Sequence, residues 1–180
     1  YGNVAVLVKA FAYILSLGAE GLEEIAEISV LNANYLMKKL EEIGCYELPY
    51  AKGRPRKHEC VFSTKSLYKE KGARALHISK RILDYGLHSP TTYFPLIVEE
   101  ALMIEPTESF EKEELDRFID VMRKIAREVN ENPNEVLEAP KNAAVNRLDE
   151  AKASHPKTMA LSWKMHLKKE QSLNHNRVNV

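Results

Sequence analysis

Residues 86–120 read GLHSPTTYFPLIVEEALMIEPTESFEKEELDRFID, and the fold is decided there. Gly86 stops a preceding helix, and Pro90 and Pro95 pin a loop that displays His88, Ser89, Thr91, Thr92 and Tyr93. Thr91 to Leu96 and Ala101 to Glu105 read as two short strands, the second closed by Pro106. A helix is then expected from an N-cap at Ser109, with Glu111, Glu113 and Glu114 near its positive end. Leu115, Phe118, Ile119, Met122, Ile125, Ala126 and Val129 recur at helical spacing along it. Strands flanked by amphipathic helices, without a regular βαβ alternation, define an α+β domain.

Outward from this stretch the same grammar holds. Val4 to Leu17 is apolar nearly all round, a pattern that a helix sustains only when other protein covers it. Gly18 is expected to stop it, and a second helix to run from Ala19 to Ile43, closed by Gly44. Cys45 to Tyr50 suits an edge strand, Gly53-Arg54-Pro55 a turn, and His58 to Thr64 the returning strand. Ala73 to Tyr85 reads as a helix. After the long helix, Asn132 is expected to cap a short one that has Pro133 at its first position, and Pro140 ends it. The resulting order, α-α-β-β-α-β-β-α, predicts a small, mostly antiparallel sheet with helices packed on it. From Lys141 the pattern fails, and an extended or disordered tail is expected, mobile beyond Ser162.

The 180 residues carry no net charge, yet residues 141–180 hold eight Lys/Arg against three acids, leaving the first 140 acidic. The basic tail has one aromatic, Trp163, and no stacking array, which argues against nucleic acid. The apolar start falls short of the roughly 18–20 residues of a bilayer span, so no membrane partner is expected. Cys45 and Cys60 make no disulfide framework and suit a reducing, cytoplasmic setting. The first residue is Tyr1 rather than Met, so the true start is expected upstream.

No glycine-rich phosphate loop, GxSxG, HExxH or CxxC occurs, so the common hydrolase and zinc signatures fail and no metal is expected. His77, amid Lys and Arg, reads as a surface residue. Two stretches can carry chemistry. In Gly53 to Cys60, Arg54, Arg56, Lys57 and His58 could hold a carboxylate, or could simply solvate a loop. In Gly86 to Pro95, His88 and Tyr93 stand on a pinned loop, which could equally be a plain helix-to-strand connection. The acids at Glu105 and Glu108 are explained by the helix dipole alone.

Asp84-Tyr85-Gly86, Gly86-Leu87-His88-Ser89-Pro90-Thr91 and Met103-Ile104-Glu105-Pro106-Thr107-Glu108, in this order, resemble the C-terminal part of the glycine-cleavage P-protein family. Tyr1-Gly2-Asn3, Leu31-Asn32-Ala33-Asn34-Tyr35, His58-Glu59-Cys60 and Leu115-Asp116-Arg117-Phe118 look like the same family. Thr92 to Val98, and Val145 to Glu150, look more like its two-subunit form, specifically subunit 2. The resemblance implies the small C-terminal domain of a fold-type-I pyridoxal-phosphate (PLP) enzyme. It also implies glycine as substrate, another P-protein subunit as partner, and aminomethyl transfer to the lipoyl arm of the H-protein. On this reading residues 1–44 link to a PLP-binding large domain that is missing here, 45–140 form the small domain, and 141–180 are a basic tail.

No Lys follows a His in the family's Schiff-base manner, so no catalytic or cofactor-binding residue is expected here and the chain alone should be inert. His88 is the first substrate-pocket candidate, with Tyr93 beside it, and His58 with Arg54 the second. The competing expectation is a stand-alone α+β binding or regulatory module. The uncovered first helix speaks against it.

Overall fold

The computed structural model describes residues 2–155 and 162–167, and they fall into two compact units, Tyr1–Asn146 and Arg147–Val180. The first unit opens with α1 (Val4–Glu41), capped by the Asn3 side chain, which accepts from the Val6 amide at 3.3 Å. Gly18 breaks it with φ 66° and ψ −171°, a conformation open to glycine and costly to other residues. The two segments differ. Beyond the break the helix buries Ala33, Leu36, Met37 and Leu40, whereas before it Val4, Leu7, Phe11 and Leu15 stay exposed. By length and composition α1 is enough to cross a membrane, which corrects the shorter count made from the apolar run alone. The break at Gly18 interrupts that stretch.

Next come β1 (Cys60–Ser63), α2 (Lys65–Lys71), α3 (Ala75–Asp84), β2 (Thr91–Thr92), β3 (Ala101–Ile104), α4 (Lys112–Glu131) and α5 (Asn134–Leu137). The sheet is antiparallel in the order β1-β3-β2, with Phe62 opposite Leu102 and Thr91 opposite Met103. Cys45 to Tyr50, expected as a strand, contributes one antiparallel bridge between Glu47 and Ser63. Phe62, Leu102, Leu36, Leu40, Ile78, Ile82, Met122, Ile125 and Val129 fill the core between sheet and helices. Full burial of each large apolar side chain stabilises by about 1.5–3 kcal/mol. The one phenol among the fully buried side chains, Tyr46, donates to the Met122 carbonyl at 2.8 Å.

Five local expectations are corrected. Helix α2 was not foreseen. It is seven residues long with one buried residue, Leu67, so no periodicity marks it, and only Gly72, left-handed at φ 74°, signals its end. Helix α3 starts at Ala75 rather than Ala73 because the Glu100 carboxylate takes the Ala75 amide at 2.7 Å. His77 is half-buried rather than a free surface residue, and its Nδ1 accepts from the Arg74 amide at 3.2 Å. Helix α4 is capped at Glu111, not Ser109, since the Glu114 carboxylate reaches back to the Glu111 amide at 3.1 Å. Asn132 ends α4 instead of capping α5, whose cap is Pro133.

In the second unit, α6 (Glu150–Ser154) forms within the expected extended or disordered tail, because Asp149 caps it by accepting from the Lys152 amide at 3.0 Å. The Trp163 and His166 rings lie 5.1 Å apart. Residues 168–180, most of the stretch expected to be mobile beyond Ser162, lie outside the described residues.

Candidate functional site

A cavity of about 150 Å³ opens where the loop after α3 meets the end of β3 and the first turns of α4. Leu36, Leu87, Pro90, Ile104, Phe110 and Phe118 make most of its wall. His88, Glu105, Glu114 and Arg117 bring the charged and titratable groups. Gly86 makes this arrangement possible. It sits at φ 71°, and a side chain there would stand 3.8 Å from the Arg117 guanidinium, which donates to the Tyr85 carbonyl at 3.3 Å. A glycine at this corner lets an arginine from α4 lie across the loop that carries His88.

The frame around the cavity is held by α1. Asn32 donates from its amide to the Thr107 carbonyl at 2.9 Å, fixing the turn after Pro106. Asn34 exchanges two hydrogen bonds of 2.8 Å with the backbone of Arg56. Tyr35 donates to the Asp116 carboxylate, which also takes Lys112. The Leu31 to Tyr35 stretch is thus a clamp that joins two loops and α4 to one helix. Sequence reasoning noticed these residues only as a pattern.

The candidates scatter. His88 lines the cavity, is exposed, and makes no hydrogen bond or ion pair with the described residues. His58 lies outside the lining but meets it through Glu105, with Nε2 to Oε1 at 3.5 Å. Glu105, read from sequence as a helix-dipole acid, therefore connects the two histidines' neighbourhoods. Tyr93 is turned away toward α3. Burial, then Glu100, pushes its phenol up, while the Leu76 amide and Arg74 oppose the shift. Arg54 is exposed and lines no part of the cavity. Its neighbour Arg56 is spent on the loop itself, donating to the carbonyls of Tyr50, Ala51 and Arg54 at 2.6–3.1 Å. Burial lifts the thiols of Cys45 to about 11 and Cys60 to about 12, so neither is a nucleophile at neutral pH. Among the described residues no cluster of His, Cys, Asp or Glu could hold a metal.

A second polar centre escaped the sequence reading. Arg81, with a side chain 10% exposed, grips Glu128 through two bonds of 2.9 and 3.0 Å and Asp84 at 3.1 Å. Tyr85 donates to the same Glu128, and Asp84 accepts the amides of Lys141 and Asn142 at 2.7 Å each. Its signal in sequence was Asp84-Tyr85 at the end of α3, quoted as a motif without a role.

An α+β domain with a small antiparallel sheet, a histidine loop and an arginine from the following helix thus defines the class. The family model of the glycine dehydrogenase C-terminal domain matches residues 25–151, and the chain belongs to that family. It is 53% identical over 166 residues to the probable glycine dehydrogenase (decarboxylating) subunit 2 of Pyrococcus horikoshii, covering 92% of this chain and 32% of that protein. With the protein of the same name from Chlorobium chlorochromatii it shares 56% over 159 residues, 88% of this chain and 32% of the relative. The chain therefore spans about a third of the length of these curated relatives. A crystal structure of glycine decarboxylase, the P-protein of the glycine cleavage system, in inhibitor-bound form has a similar fold. The TM-score is 0.52 at 22% identity, over 63% of this chain and 24% of that one.

Proposed function

We propose that the chain serves as the small C-terminal domain of a fold-type-I, PLP-dependent glycine dehydrogenase (decarboxylating), acting as part of its subunit 2. The observation that carries this reading is the 53% identity to a protein of that name across 92% of the chain. The setting would be cytoplasmic, supported by two free cysteines. Its partners would be the other P-protein subunit and the lipoylated H-protein, and its substrate glycine.

The residues of this chain do not themselves fit pyridoxal phosphate. No lysine lines the cavity, whose roughly 150 Å³ is small for a phosphorylated pyridine, and the sequence has no His-Lys pair to form a Schiff base. The cofactor would belong to the two thirds of the relatives' length that this chain does not span. What the chain would supply is a polar edge. His88 would hydrogen-bond the glycine carboxylate, on a loop fixed by Gly86 and Pro90, while His58 and Glu105 would hold the neighbouring wall. The exposed apolar segment of α1 before Gly18 favours this reading over a stand-alone binding or regulatory module, since contiguous exposed apolar surface marks a contact.

The test is reconstitution of the complete subunit 2 with subunit 1 and lipoylated H-protein, followed by glycine decarboxylation with wild type and His88→Ala. Loss of rate with an unchanged melting temperature is expected. Normal decarboxylation per folded molecule would remove His88 from the site. For the chain alone, borohydride reduction with PLP should leave no pyridoxyl-lysine. Finding one would overturn the assignment of the cofactor to the rest of the protein.

A further inference from the structure

We propose that residues 4–17 form a movable arm, with Gly18 as its hinge and the hydrogen bond from Tyr13 to Glu108 as its latch. The device depends on no particular reaction, and it stands or falls apart from the role given to His88. Three observations carry it.

The first is how unequally the two parts of α1 are held. Every residue from 2 to 16 is exposed and Leu17 is half-buried, so the arm takes no share in the core. Beyond the break Ala33, Leu36, Met37 and Leu40 are buried, and Asn32, Asn34 and Tyr35 bond to three other places in the domain. Whatever the arm meets in the complete subunit, one hydrogen bond among the described residues ties it to this domain. The Tyr13 hydroxyl donates to the Glu108 carboxylate at 2.8 Å, a bond that pushes the phenol up from its ordinary value.

The second is the joint. Gly18 sits at φ 66° and ψ −171°, a combination that essentially only glycine adopts, and a side chain there would meet no atom within 4 Å. Glycine passes readily between this conformation and the helical one, and the open space leaves room to do so. On either side the chain is a helix stiffened by its own hydrogen bonds, and the arm has its own cap at Asn3. Bending is therefore concentrated at one residue, as in a hinge.

The third is where the latch sits. Tyr13 and Asn32 would stand about 28 Å apart along a straight helix. Yet they bond neighbouring residues, Glu108 and Thr107, and Asn32 donates to the Phe110 carbonyl as well. The kink at Gly18 brings both parts of α1 onto one turn. Pro106 and Phe110 of that turn wall the cavity beside His88, so the arm is latched to a wall that the anchored part of α1 holds in place.

The experiment is pulsed electron–electron double resonance on complete subunit 2 assembled with subunit 1, with nitroxide side chains incorporated as unnatural residues at Lys9 and Glu131. Both positions are exposed, one on the arm and one at the end of α4. Wild type should show one dominant distance. Tyr13→Phe and Glu108→Ala should each raise a second distance about fivefold over its wild-type share, the scale of one net hydrogen bond. Glu108→Gln, whose amide oxygen still accepts, should keep the wild-type distribution. Gly18→Ala added to Tyr13→Phe should collapse the two distances to one, because alanine is strained at φ 66° and keeps to the helical conformation. The latch is overturned if either Tyr13→Phe or Glu108→Ala leaves the distances unchanged, or if Glu108→Gln shifts them as far as Glu108→Ala. The hinge is overturned if both distances persist in the double variant.

Discussion

Two arginines on either side of the corner at Tyr85 and Gly86 live opposite lives. Arg81, on α3, is nearly buried and spends its N–H groups on Glu128, Asp84 and Tyr85. Arg117, on α4, is exposed and spends one on the Tyr85 carbonyl. Both touch residues of the same Asp84-Tyr85-Gly86 motif. The difference teaches where a polar group is structure and where it is available. Burial makes an unpaired charge too costly to keep, so Arg81 is saturated. Exposure at a cavity mouth lets Arg117 remain unsaturated, and only such a group can recognise something else.

The largest expected effect tests the saturated side. Glu128→Gln should destabilise the domain by about 3 kcal/mol, because two hydrogen bonds from the nearly buried Arg81 lose their charged acceptor and Asp84 is left as its close carboxylate. For a chain of this size that lowers the melting temperature by roughly 6–12 °C in calorimetry. Arg117→Gln should stay within about 0.5 kcal/mol of wild type. Equal losses from the two substitutions would break the comparison. Acid sharpens it. Burial pushes the Glu128 carboxyl up, but hydrogen bonds from Arg81 and Tyr85 outweigh this and leave it below its ordinary value. A depressed carboxylate stabilises fully above the unfolded-state value, and that contribution disappears as pH falls through the folded-state value. Acid titration by circular dichroism should therefore show wild type losing stability below about pH 4.5, the ordinary glutamate range. The Gln variant, lacking this group, should show a shallower loss.

How much of this was legible in the sequence follows the same line. The α4 stripe from Leu115 to Val129 and the breaks at Gly18 and Gly86 were readable, because periodicity and positive φ leave marks in composition. Helix α2 and the starts of α3 and α4 were not. Their ends are set by Glu100 reaching Ala75 from 25 residues away, by a left-handed Gly72, and by the Glu111 and Glu114 pair. The site was half legible. His88 was picked out by its pinned loop. Arg117 and Glu105 come from other elements, and only tertiary packing places them beside it. Tyr93, a neighbour of His88 in sequence, turns at φ 60° and faces elsewhere.

Two intermediate effects probe how the exposed side is held in place. Asn34→Ala removes both hydrogen bonds that tie the Arg56 backbone to α1, leaving a half-buried amide and carbonyl without partners. A loss of about 1–2 kcal/mol in urea unfolding is expected, with exchange of the Arg56 amide accelerated. Gly86→Ala should cost about 1 kcal/mol, since alanine at φ 71° is strained although the nearest atom leaves room at 3.8 Å. Its sharper signature is at Arg117, whose guanidinium should shift in the nitrogen-detected NMR spectrum. If Arg117 does not respond, the glycine is there for the turn alone.

The smallest expected effect belongs to His88→Ala, and its smallness is the point. The His88 ring is exposed and has no hydrogen bond or ion pair with the described residues, so its removal abandons no buried partner and opens no core cavity. Substitutions of this kind stay within about 0.5 kcal/mol, or about 1–2 °C for a domain of this length. A structural histidine would behave differently: removing one that caps a loop strands a backbone group and costs about 1–3 kcal/mol. Differential scanning calorimetry separates the two cases, and a drop beyond about 4 °C would place His88 with Arg81 among the saturated groups. A melting curve that overlays wild type would place it with Arg117, among the groups that the fold does not need. Two nitrogen-bearing side chains would then share one mouth, His88 from the loop after α3 and Arg117 from α4, and neither would be needed to hold the fold.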